Sequence, residues 1–266
     1  MLGLGGGLWF WLGRQRDDGS LQRVRAAGEI RVGYAVEAPY ALLQADGGVT
    51  GESPEVARAA ATRLALRTAW VKTPFERLLP ELQARRFDLV AAGLFVNPER
   101  ATQVRFTRDT LRVRAGWLVR AGNPKAITSY EQLLQQPGVR VAALAGSVEL
   151  AALDALPLPP SRRVLVPDAQ SGLAAVSSGV ADALALSLPT VRQMAQASQG
   201  RLEALPAQGA TLRDNRVALA VHRDDAALQA AIDAALANYI GGAEHRAMLQ
   251  RFDFTADDLP PEAHVR

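Results

Sequence analysis

A chain of 266 residues can bury one large core or two modest ones, and its 48% apolar and 21% charged residues are the balance of an ordinary globular protein. It contains no cysteine, which excludes disulfides and thiol chemistry. The net charge of +3 rests on dispersed arginines, with Lys72 and Lys125 the only lysines, and lacks the basic and aromatic clustering of a nucleic-acid-binding surface.

In chain order, the first feature is an apolar, glycine-rich run at residues 2–12, followed by Arg14 and Arg16. A bilayer span needs about 20 apolar residues, so this run is too short to cross one. Its length is that of a signal-peptide apolar core, although a basic stretch before it and an A-x-A site after it are missing. Residues 1–20 are therefore set apart as a truncated or atypical export signal, with a short membrane-associating segment as the alternative. From Leu21 onward strands alternate with helices, the pattern of an α/β protein with largely parallel sheets. Residues 30–35 alternate as a strand. Ser53-Pro54 offers an N-cap with proline at the first helical position and opens a helix to about Leu66. Thr73-Pro74 and Asn97-Pro98 repeat the device, and Thr128 and Ser147 read as further caps. Helices near 170–178, 190–199 and 226–236 complete the pattern.

The segment from Gly93 to Arg100 carries the most chemistry. A short apolar strand at 87–92 stops at small residues, and Arg100 then stands in the first turn of a helix. Backbone N–H groups and a guanidinium fork can both donate to one carboxylate there, and the planar fork of Arg suits a carboxylate better than Lys does. His222, His245 and His264 share no metal-binding spacing and read as surface residues. No G-x-S-x-G, Walker A or dinucleotide fingerprint is present, and the glycines at 3–7 follow no strand.

"AAGLFVNPERATQVRFT" resembles the "aGm-x-iTpeR-x-x-x-v-x-F-s" segment of the family 3 extracellular solute-binding proteins of ABC importers. Further landmarks of that family recur in order at 30–64, 75–93, 139–149, 174–191 and 217–236. The resemblance implies a two-lobed periplasmic binding protein fold (type II) of class α/β. One lobe would comprise 21–112 with 214–266, and the other 113–213. The chain would cross between them near 110–116 and 209–216, making a two-segment hinge over a ligand cleft. It also implies a monomer in the periplasm that delivers a solute to an ABC importer permease, with no cofactor and no nucleic acid.

The resemblance further implies which residues line the cleft. Arg100 would clamp a carboxylate, and Glu37 would offset a cation. Tyr40, Phe75 and Phe95 would form an aromatic cage beside Gly93, and the backbone at Gly146-Ser147 would also donate, although Ser147 could merely cap its helix. The family's lobe 2 aspartate, which holds an α-ammonium, falls here at Ser187, so the usual carboxylate is missing. A buried ammonium without a counter-charge is costly, whereas three aromatics and one acid suit a delocalised cation. This combination resembles the ectoine- and hydroxyectoine-binding subgroup. Two alternatives stay open. One is a polar amino-acid receptor in which another acid compensates for Ser187. The other is a cyclohexadienyl dehydratase-type enzyme, for which Glu37 is the single cleft acid in view. A binding protein rather than an enzyme is the expectation.

Overall fold

The structure is a computed structural model that describes residues 18–212 and 214–261; the signal-like run at 2–12 and His264 lie outside the described residues. The first sheet is built from β1 (Glu29–Tyr34), β4 (Arg67–Lys72), β5 (Leu89–Val90), β6 (Val104–Val113) and β12 (Asn215–His222), in the order β4-β1-β5-β12-β6. β1 runs parallel to β4 and β5, while β12 is antiparallel to β5 and β6. A small hairpin of β2 (Leu42–Leu43) and β3 (Val49–Thr50) stands beside it. The second sheet holds β7 (Ala115–Arg120), β8 (Val141–Leu144), β9 (Arg163–Val166), β10 (Ala183–Ser187) and β11 (Leu202–Pro206), in the order β11-β7-β10-β8-β9. The expected α/β class with two lobes is thus found, but the sheets are mixed rather than largely parallel: in each, two of the four strand pairings are antiparallel.

Strands buried on both faces read as apolar runs because helices cover each side. In lobe 1, α1 (Ser20–Ala27), α2 (Glu52–Arg63), α8 (Ala226–Leu236) and α9 (Ala243–Gln250) supply the core around Val32, Leu89, Val217, Leu228 and Ile232. The opposite face packs Leu78 and Leu82 of α3 (Leu78–Gln83) on Phe87. Gly33 is required there, because a Cβ on it would lie 2.5 Å from the Phe87 ring. In lobe 2, Trp117 stacks on Tyr130 with centroids 4.6 Å apart on one face. On the other face, α6 (Ala169–Ser178) and α7 (Leu188–Ala197) pack Val176 and Val191 on Leu118 and Leu184.

Two segments join the lobes. β6 passes through Arg114 directly into β7, and the chain returns through Leu212 to β12. The two segments are tied together where Ala115 N–H donates to the Leu212 carbonyl at 3.1 Å, and α7 holds the first of them where Leu188 N–H donates to the Arg114 carbonyl at 2.8 Å. The loops that follow β1, β5, β8 and β10 all open at carboxyl ends of parallel strands, the usual ligand side of such sheets.

Several local expectations are corrected. The helix at 52–63 is capped at Gly51, not Ser53; the Ser53 hydroxyl donates instead to Glu52 at 2.6 Å and accepts from Gly93 N–H at 2.9 Å. Thr73 caps nothing, and Pro74 opens a 3-10 turn at Phe75–Arg77 ahead of α3. The turn at Glu131–Gln135 is held by Ser129, whose hydroxyl accepts from Gln132 N–H at 3.1 Å, while Thr128 bonds the Gln132 side chain. His245 is not a surface residue. It is fully buried on α9, its Nδ1 accepts from Gly241 N–H at 3.1 Å, and burial lowers its pKa to about 4.

Candidate functional site: a cavity between the lobes

The lobe 1 side begins after β1, where a backbone pair between Glu37 and Ala41 (2.9 Å in each direction) closes a tight loop. That loop holds both Glu37 and Tyr40 against the cleft. Glu37 is buried, and its carboxylate accepts from the Thr190 hydroxyl of α7 at 2.8 Å. Ser187 in turn donates to Thr190 at 3.0 Å, so a hydroxyl relay spans the lobes. Burial pushes the Glu37 carboxyl up to about 7; the Thr190 bond opposes this and the charge of Glu149 adds to it. The Tyr40 hydroxyl is buried, and burial raises its pKa well above the ordinary value, with the Ser187 hydroxyl acting in the opposite direction. Its ring lies flat enough on Gly93 that a Cβ there would come within 2.4 Å, and φ of +64° at Gly93 favours glycine independently.

Arg100 is presented by α4 (Pro98–Gln103). Asn97 caps that helix as expected, accepting from the Arg100 N–H at 2.8 Å. The guanidinium is buried and donates to the Phe95 carbonyl at 2.7 Å and to the Gly146 carbonyl of lobe 2 at 2.8 Å. Both bonds go to carbonyls rather than to a carboxylate, and burial lowers the Arg100 pKa. The half-buried Phe75 ring lies 5.8 Å from the guanidinium. Phe95 is buried in the lobe 1 core and also faces the cavity, so for it core and cage are not alternatives.

Lobe 2 supplies the opposite wall. Ser147 caps α5 (Val148–Asp154), its hydroxyl accepting from Leu150 N–H at 3.0 Å, and its own N–H donates to the Leu144 carbonyl. Gly146 passes so close to lobe 1 that a Cβ on it would lie 3.1 Å from Glu76 Cα. Three residues on, Glu149 is 4% exposed, and burial lifts its carboxyl to about 7, with the Arg100 charge pulling the other way.

One cavity is lined by all eight residues singled out in the sequence: Glu37, Tyr40, Phe75, Gly93, Phe95, Arg100, Ser147 and Ser187, joined by Leu144, Val148, Glu149 and Leu186. The expectation that Glu37 is the single acid of the cleft is therefore corrected. Glu149 was hidden because an acid in the first turn of a helix ordinarily marks only the helix start. Thr190 was hidden likewise, as a first-turn residue of α7 capped by Ser187. The cavity holds about 20 Å³, room for little more than one water. Wider grooves of about 350 and 540 Å³ open on either side of it, and Phe75 borders both. At that size the cavity is too small to enclose a solute such as an amino acid. Among the described residues no group of three or more His, Asp or Glu could hold a metal, and no helix is long and apolar enough to cross a membrane.

This geometry has parallels among known proteins. The crystal structure of EhuB in complex with hydroxyectoine superposes with a TM-score of 0.84 at 29% identity, covering 94% of this chain and 96% of that one. An ancestral amino acid-binding protein, a precursor of cyclohexadienyl dehydratase, shares the fold with a TM-score of 0.77 at 24% identity, covering 88% of this chain and 98% of that one. A probable amino-acid ABC transporter periplasmic-binding protein of Sinorhizobium fredii is 34% identical over 182 residues, 67% of this chain. The L-arginine-binding protein of Pseudomonas aeruginosa is 27% identical over 112 residues, 40% of this chain. These matches span 60% and 43% of the two curated relatives' own lengths. The last three of these carry names of binding proteins. The family model for bacterial extracellular solute-binding proteins, family 3, matches residues 30–255, and with the paired sheets and the cleft between them it establishes that the chain belongs to that family.

Proposed function

We propose that the protein is the periplasmic solute-binding component of an ABC importer. In this reading it works as a monomer, captures a compact zwitterion in the cleft and presents it to the permease on closure. The cargo favoured is ectoine or hydroxyectoine. One observation carries the reading: a buried arginine and a buried glutamate line a single cavity together with Tyr40, Phe75 and Phe95. Arg100 holds the carboxylate of the cargo, and Glu37 offsets its delocalised cation within the aromatic cage. The hydroxyectoine complex of a relative at 29% identity supports the same choice. Residues 21–112 with 214–266 then move as one lobe and 113–213 as the other. Because the ligand touches both, it stabilises the closed form alone.

A second reading, a polar amino acid as cargo, is favoured by Glu149, which places an acid on lobe 2 where Ser187 supplies none. Isothermal titration with ectoine, hydroxyectoine, glycine betaine, glutamine and arginine separates the two. Tight binding restricted to the ectoines is the expected result. Binding restricted to an α-amino acid would keep the mechanism and discard the cage.

A further inference from the structure

The cavity holds one arginine and two carboxylates, and the carboxylates come from opposite lobes: Glu37 from the loop after β1, Glu149 from α5. The groups around them are few. Thr190 and Ser187 of lobe 2 serve Glu37, and Ser147 and Arg100 act on Glu149. Glu99 on α4 acts on Arg100, Glu52 on Tyr40, and Glu149 itself on Tyr130. Arg100 is the one cation among these groups, and its side chain is bonded to two carbonyls.

Charge then has to balance inside a dry cavity, where an uncompensated charge is costly. A neutral zwitterion gives its carboxylate to Arg100 and its cation to one glutamate, which leaves the other glutamate uncompensated. A cargo with one carboxylate and two cationic groups leaves nothing over. We propose that Glu149 is a specificity-determining residue of the cleft, which with Glu37 forms an acid pair spanning the two lobes that keeps one shared proton when the cargo carries a single positive charge. The inference rests on the reading of this cavity as the ligand site and deepens it. When the lobes part, both acids meet water and ionise in the ordinary range; closure around a neutral zwitterion draws one proton in. Both carboxyls sit near 7 in the closed cleft, the direction this requires.

Isothermal titration of hydroxyectoine and of arginine at pH 6, in two buffers of different ionisation enthalpy, measures the protons taken up. Hydroxyectoine is expected to bind with uptake of about one proton, and its affinity to fall about tenfold per pH unit between about pH 5 and 7. Arginine is expected to bind without uptake. In Glu149→Gln the uptake for hydroxyectoine vanishes and its pH dependence flattens, while arginine binding weakens more than about tenfold. Hydroxyectoine binding without uptake in the parent protein would overturn the acid pair and leave the cargo reading intact. Arginine binding alone would discard the cargo reading, and the pair would then stand or fall on the loss in Glu149→Gln. Should neither solute bind, the glutamate carboxyl resonances of the protein held closed by an oxidised Glu76→Cys and Gly146→Cys pair decide. One carboxyl titrating near 7, and returning to the ordinary range in Glu149→Gln, upholds the pair; ordinary titration throughout overturns it.

Discussion

Arg100 reaches the cleft with its guanidinium already ordered by two carbonyls, one from each lobe. The Phe95 bond lies within lobe 1 and holds one arm of the fork when the lobes part, so less side-chain entropy remains to be lost on binding than for a free arginine. Arg100→Ala is expected to cost about 2–5 kcal/mol of ligand binding. A titration that finds less than a threefold loss, well under about 1.4 kcal/mol, would remove Arg100 from the site. The residue was legible in the sequence because a strand end, an Asn-Pro cap and an arginine fall in succession, and the structure keeps that cap. Glu37 and the three aromatics were legible through the family resemblance rather than from their own spacing. Glu149 was legible by neither route. Its burial is produced by lobe 2 folding across lobe 1, and nothing in the local sequence around residue 149 encodes that contact.

At the scale of elements, the start of α2 shows how a buried network supports the site. Glu52 is fully buried and accepts from Ser53, and Ser53 holds the N–H of Gly93 beneath Tyr40. Burial lifts the Glu52 carboxyl to about 7. An acid whose pKa is raised on folding adds stability that is complete below its ordinary value and is lost as pH rises through the folded one. Parent stability should therefore decline between about pH 4.5 and 7, by on the order of 3 kcal/mol from this group. Glu52→Gln, measured by denaturant unfolding across that range, should show a flatter profile; an unchanged slope would mean that Glu52 is not the source. Ser-Pro is a strong helix-start signal, so the local sequence points to Ser53 as the cap. The hydroxyl instead answers the Gly93 N–H, a tertiary demand that overrides the local one. α9, with its buried His245, escaped notice for a related reason: the segment AEHRAMLQ is polar enough to read as surface.

For the whole molecule, the proposed function requires that the lobes separate. The cavity of about 20 Å³ is closed by contacts between lobes: Arg100 to Gly146, Thr190 to Glu37, and the approach of Gly146 to Glu76. Ligand entry must break these, and ligand contacts must then outweigh their loss for the closed form to be favoured. The chain has no cysteine, so a designed pair can report on this motion alone. A Cβ on Gly146 would stand 3.3 Å from Glu76 Cβ, a little short of the separation of about 3.5–4.5 Å that a disulfide spans, so a small relaxation of the two backbones accommodates the bond. In the double variant Glu76→Cys with Gly146→Cys, oxidation without ligand should seal the cleft and abolish binding, and reduction should restore it. Oxidation after loading should retain the solute through dialysis. If the oxidised, unloaded protein bound solute as fast as the reduced form, the lobes would not be the gate, and entry would have to run through one of the two flanking grooves instead.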